Sequence, residues 1–110
     1  MSNNRKEQLE TMLAENKNDP FLYFALAKEF EKEGNLKTAL TLYENLGNNF
    51  PNYIGTYYHW AKALIRLENT DEAITIVLKG CQLAQQQNDH HAHSELKIIL
   101  LELDYDDENE

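Results

Sequence analysis

The sequence predicts an all-α chain, an antiparallel helix-hairpin array of about six helices. Three observations predict it. Tyr23, Leu26, Ala27 and Phe30 stand at i, i+3, i+4 and i+7, which gathers them on one side of a helix. Gly34 breaks that helix; Ala39 and Tyr43, with Leu40 and Leu46 beside them, rebuild an apolar face on a second helix, which Pro51 closes. A shift of 34 residues then lands Tyr57 on Tyr23, Trp60 on Leu26, Ala61 on Ala27, Leu64 on Phe30, Ala73 on Ala39 and Val77 on Tyr43, so the unit occurs twice.

Residues 1–18 form an N-terminal capping helix. Met1 to Asn4 are polar and loose, and from Arg5 to about Asn16 a short stripe of Leu9, Met12 and Leu13 marks one helix face. A helix of this length is marginal alone, so it is expected to lie against the first repeat. Asp19 then suits an N-cap and Pro20 the first helical position.

Repeat 1 spans 19–52. Its first helix runs to about Glu33, Gly34 makes the left-handed stop, Asn35 caps the next helix, and Phe50 is pushed out of the helical region by Pro51. Repeat 2 spans 53–88. Its turn, Leu67-Glu68-Asn69, lacks a glycine, so Asn69 is expected in the left-handed conformation, with Thr70 as the cap and Asp71 and Glu72 in the first turn. Gln85 stands in the place of Pro51, which predicts a longer second helix. A C-terminal capping helix follows over 89–104, with Ala92, Leu96, Ile99 or Leu100, and Leu103 on one face and Ile98 and Leu101 off it. The residues from Asp104 on are too charged to pack, and 105–110 is expected as an acidic disordered tail.

The spacing Tyr23-x2-Leu26-Ala27-x2-Phe30, Ala39-x3-Tyr43 and Pro51 resembles the tetratricopeptide repeat (TPR), which marks its helices with the same alternation of large, small and aromatic residues. The resemblance implies a TPR-like α-solenoid and a non-catalytic scaffold that binds a protein or peptide partner in a concave groove lined by the first helices of the repeats. On the face not committed to packing stand Phe21, Phe24, Lys28 and Lys32 in the first copy, and Tyr58, Lys62 and Arg66, with His59 beside them, in the second. The expected groove is therefore Phe21, Phe24, Lys28, Tyr58, His59, Lys62 and Arg66, aromatic and basic, suited to an acidic or aromatic-containing segment. The competing reading is that these cations are solvated helix residues paired with Glu29, Glu31 or Glu68.

Composition narrows the alternatives. The chain's 110 residues suffice for one domain, and a net charge of -9 with pI near 4.8 excludes nucleic acid or an anionic membrane as the main partner. Six of the 19 acidic residues lie at or after Glu102, leaving 13 against 10 Lys and Arg elsewhere. Cys81 is alone, the N-terminal residues carry no apolar run of a secretion signal, and no segment has the length of a membrane span, so a reducing, cytoplasmic setting is expected. There is no phosphate loop, nucleophile elbow or HExxH, and no cofactor is expected. His90, His91 and His93 after Asp89 read as polar residues at a helix start; a metal-dependent enzyme built on them is a weak rival, since adjacent histidines diverge by about 100°. A structural homodimer through the last helix is the other rival, because Ile98 and Leu101 leave its second face apolar.

Overall fold

The computed structural model describes residues 2–106, with side chains from Asn4 on. It contains α1 (Ser2–Glu15), α2 (Pro20–Lys32), α3 (Leu36–Asn49), α4 (Gly55–Arg66), α5 (Thr70–Gln86) and α6 (His90–Glu102), with no strand among the described residues. These form two compact units, α1–α3 up to Tyr53 and α4–α6 from Ile54 on.

In the first unit α1 reaches back to Ser2, so Ser2 to Asn4, expected to be loose, are helical; Met1 lies outside the described residues. Leu9 packs with Leu22, Ala25 and Leu26, and Leu13, Phe30 and Leu42 border that cluster. Met12 was expected beside Leu9 and Leu13 but is 47% exposed. A helix docked on one neighbour buries a narrow stripe, and Leu9 and Leu13 at i and i+4 fill it. The Asp19 carboxylate accepts from the Phe21 N–H at 3.0 Å, and Pro20 opens α2 as predicted. The Tyr23 hydroxyl donates to the Lys17 carbonyl at 2.8 Å, tying the α1–α2 turn to α2. In α3, Ala39, Tyr43 and Leu46 are buried, and Tyr43 donates its hydroxyl to Glu31 of α2.

In the second unit every position carried over by the 34-residue shift is buried: Tyr57, Trp60, Ala61, Leu64, Ala73 and Val77. Gly80 sets how closely α5 approaches its neighbours. A Cβ there would stand 2.8 Å from Tyr57 Cβ on α4 and 2.9 Å from Leu96 Cδ1 on α6. Without a proline, α5 runs for 17 residues against 14 in α3. On α6, Leu96, Ile99 and Leu100 are buried, whereas Ile98 and Leu101 are 52% and 72% exposed.

Four of the helices end alike. After α2, α4, α5 and α6 one residue takes the left-handed conformation: Gly34 (φ 82), Glu68 (φ 62), Asn88 (φ 57) and Asp104 (φ 56). At each, that residue's N–H and the next one reach back to two carbonyls of the last turn, as in Gly34 to Glu31 at 2.9 Å and Asn35 to Phe30 at 2.9 Å. This double bond satisfies carbonyls that a helix end otherwise leaves bare. Two expectations are corrected here. Glu68, not Asn69, is left-handed, because it holds the register position of Gly34, while Asn69 precedes the helix as Asn35 does. Thr70 is accordingly the first residue of α5 and not its cap; Asn69 makes no cap bond and donates its side chain to Glu72 at 2.9 Å. α3 is the helix that stops differently, with Phe50 at φ -135 before Pro51, as its sequence requires. Asp104 and Tyr105, expected in the loose tail, instead close α6, with the Tyr105 N–H bonded to the Leu100 carbonyl at 2.9 Å. The rest of the predicted tail, from 107 on, lies outside the described residues.

Three outcomes follow for chemical denaturation. Gly34→Ala should cost about 1 kcal/mol and Glu68→Gly gain about as much, since a side chain is penalised at positive φ whatever the free space. Gly80→Ala should destabilise by about 1–3 kcal/mol despite alanine's better helix propensity, because the Tyr57 Cβ it would strike belongs to the helix wall. Burial, and then the neighbouring Glu31, push the Tyr43 phenol far above its ordinary value, so the folded state keeps a proton that the unfolded chain loses. Stability should fall as pH rises above about 10, and Tyr43→Phe should flatten that fall.

Candidate functional site

The sequence places the same aromatic–cation pair on the first helix of each repeat. On α2 the Lys28 ammonium lies 5.8 Å from the centre of the Phe24 ring, and on α4 the Lys62 ammonium lies 5.9 Å from that of Tyr58. Both pairs have i, i+4 spacing, which stacks side chains one turn apart, and both fall within reach of a cation–π contact.

In the first unit Phe21, Phe24 and Lys28 line a cleft of about 320 Å³ together with Arg5, Ala25, Glu29 and Lys32. Phe24 is half-buried and held by rings of its own unit, edge-on to Tyr53 at 5.7 Å and tilted to Tyr43 at 6.3 Å. Phe21 remains 52% exposed. At the base sits Glu29, only 6% exposed, with its Oε2 3.5 Å from Arg5 Nε and 3.4 Å from Lys32 Nζ. A carboxylate so far from water needs cations beside it. The pairing of Lys28 with Glu29 or Glu31, which the competing reading requires, is not made; Lys28 has no ion-pair partner among the described residues, and the cleft holds three cations against one carboxylate.

Sequence reasoning missed Arg5. The signal was available: Arg5, Leu9 and Leu13 fall at i, i+4 and i+8, so the inward stripe of α1 begins with a cation. Lys6 beside it pairs with Glu33 at 3.1 Å and lies 4.7 Å over the Phe30 ring. What the stripe could not say is that it meets the acids at 29 and 33.

In the second unit Tyr58 and His59 are half-buried with rings edge-on at 5.2 Å, and Lys62 lies 3.9 Å from Glu102 of α6 rather than beside Glu68. Arg66 is exposed at the end of α4, without an ion-pair partner among the described residues. Tyr58, His59 and Lys62 are thus brought together, with Arg66 one turn further on. His90 and His91 are exposed, His91 Nε2 lies 3.4 Å from Glu95, and among the described residues no three His, Cys, Asp or Glu side chains converge as a metal site would require. Cys81 is buried. Among the described residues no helix is long and apolar enough to cross a membrane.

A family model described as anaphase-promoting complex, cyclosome, subunit 3 matches residues 7–80. A tetratricopeptide repeat domain protein from Salinibacter ruber, known as a crystal structure, is 40% identical over 77% of this chain and 94% of that one, with a TM-score of 0.74. The solution structure of a tetratricopeptide repeat domain protein from the same organism matches at 40% identity over 77% and 86% of the two chains, also with a TM-score of 0.74. A Bordetella parapertussis protein solved in solution is similar at 26% identity, covering 89% of this chain and 85% of that one, with a TM-score of 0.77. Comparison with curated proteins gives no match. The repeats of this fold serve protein interaction in general and are typically non-catalytic. With two copies of the packing pattern buried as the spacing requires and these matches beside them, the chain belongs to the tetratricopeptide repeat family.

Proposed function

We propose that this chain is a non-catalytic scaffold module that binds an acidic, aromatic-containing segment of a protein partner. One observation carries the reading: in a chain of net charge -9, the cleft on α2 holds Lys28, without an ion-pair partner among the described residues, over the half-buried Phe24 ring, with Arg5 and Lys32 beside it. An aromatic side chain can rest against Phe21 and Phe24 while the carboxylates next to it meet the ammonium groups. The Tyr58 and Lys62 pair, with His59 and Arg66, repeats that chemistry on α4. The overall negative charge disfavours nucleic acid and anionic membrane as partners, and a lone buried Cys81 suits a reducing, cytoplasmic setting.

A second reading, homodimerisation through α6, rests on the exposure of Ile98 and Leu101 one turn apart. Affinity capture from the source cells separates the two. With the chain and a Lys28→Glu, Lys62→Glu, Arg66→Glu variant as baits, a partner should be lost from the variant and should weaken between low and moderate salt, as screening shortens to about 10 Å at 0.1 M. If the same proteins, or only further copies of the chain, come down with both baits, the basic surface is not the working one. Sedimentation that depends on concentration and is abolished by Ile98→Ser, Leu101→Ser would then establish α6 in its place.

A further inference from the structure

A second cleft of the first unit, about 450 Å³, shares no residue with the basic cleft. Its floor is apolar: Tyr23, Phe50 and buried Leu46, with the two rings 6.0 Å apart. Its rim is Lys17, Asn18, Asn45 and Asn49, all exposed. None of the three asparagines uses its side-chain amide in a hydrogen bond among the described residues, and the Lys17 ammonium has no ion-pair partner there.

Asn45 and Asn49 stand four residues apart on α3, hence on one side of it, about 6 Å apart along the axis. An extended polypeptide repeats every two residues, at about 6.6 Å. Each asparagine amide offers one acceptor and a pair of donors, the complement of a backbone N–H and C=O on one edge of a strand. The aromatic rings line the same cleft as that row and can take an apolar side chain of an extended segment, and Lys17 in the lining offers a cation to an acidic one.

We propose that this cleft is a second peptide-binding site, which takes an extended segment by its backbone: Asn45 and Asn49 read residues j and j+2, an apolar side chain enters over Tyr23 and Phe50, and a flanking acidic residue meets Lys17. The inference rests on the scaffold reading only in that the ligand is polypeptide.

Because the backbone is what is read, a generic probe suffices: an end-blocked peptide of sequence Glu-Leu-Thr-Leu-Thr-Leu-Glu, titrated against the labelled chain by NMR. The side-chain amide signals of Asn45 and Asn49 should shift saturably, N-methylation of alternate peptide nitrogens should weaken binding about tenfold, and Asn45→Ala, Asn49→Ala should weaken it roughly ten- to a hundredfold. Alanine at these exposed helical positions favours the helix, so the variant stays folded. The Lys28→Glu, Lys62→Glu, Arg66→Glu variant should keep the saturable shifts of the Asn45 and Asn49 amides even if it loses contacts of the probe's glutamates elsewhere, which separates the site from the basic cleft. Unmoved amide signals at millimolar peptide, or equal binding of the N-methylated peptide, overturns the proposal.

Discussion

The constraint on which the rest of the chain depends is the reversal of direction between helices. A helix must stop, turn and restart within about three residues without leaving its last carbonyls bare, and a single left-handed residue achieves this after α2, α4 and α5 and closes α6 in the same way. Once the turn is fixed in length, the phase of the next helix is fixed with it. That is why Asn35 and Asn69 both precede a helix, and why Ala39 and Ala73, four residues further on, both face inward with no exposed surface. The turn is held by position and not by residue type: a glycine does it once, then a glutamate, an asparagine and an aspartate accept the same backbone angles at some cost.

Close packing is the second condition, and it is met by different residues in the two units. Ala27 and Ala39 are fully buried in the first, as are Ala61 and Ala73 in the second. Gly80 has no counterpart in α3, where the equivalent position is Leu46, buried at 1%. The glycine is there because α5 lies against both α4 and α6 within its unit, and the Tyr57 Cβ leaves no space for another carbon. Local helix propensity is sacrificed for that approach.

The charges of the first unit follow from how α1 docks. It is more than a cover for an apolar face, since Arg5 and Lys6 reach Glu29 and Glu33 one turn apart on α2. Glu29 is thereby compensated from two sides, by Arg5 and Lys32. Lys28 is left without a carboxylate and leans over Phe24, so the cleft keeps a positive excess on a chain that is negative overall. The equivalent Lys62 is partly answered by Glu102, which makes α4 the weaker of the two basic surfaces.

The sequence by itself determined the helix order, the repeat and its inward-facing residues, because a 3.6-residue period and a 34-residue shift are properties of spacing that survive any arrangement of the helices. It also determined the aromatic–cation pairs, since i and i+4 are neighbours on any helix. The same shift sets Glu68 on Gly34, so the left-handed residue of Leu67-Glu68-Asn69 was also legible in the spacing, where register outweighs asparagine's tolerance of that conformation. Only the tertiary structure decided that Met12 is exposed, that Gly80 is a contact point, and that Arg5 and Glu102 are the partners of Glu29 and Lys62. Each of these is a meeting between helices, and a one-dimensional pattern fixes the face a side chain stands on but not what that face will touch.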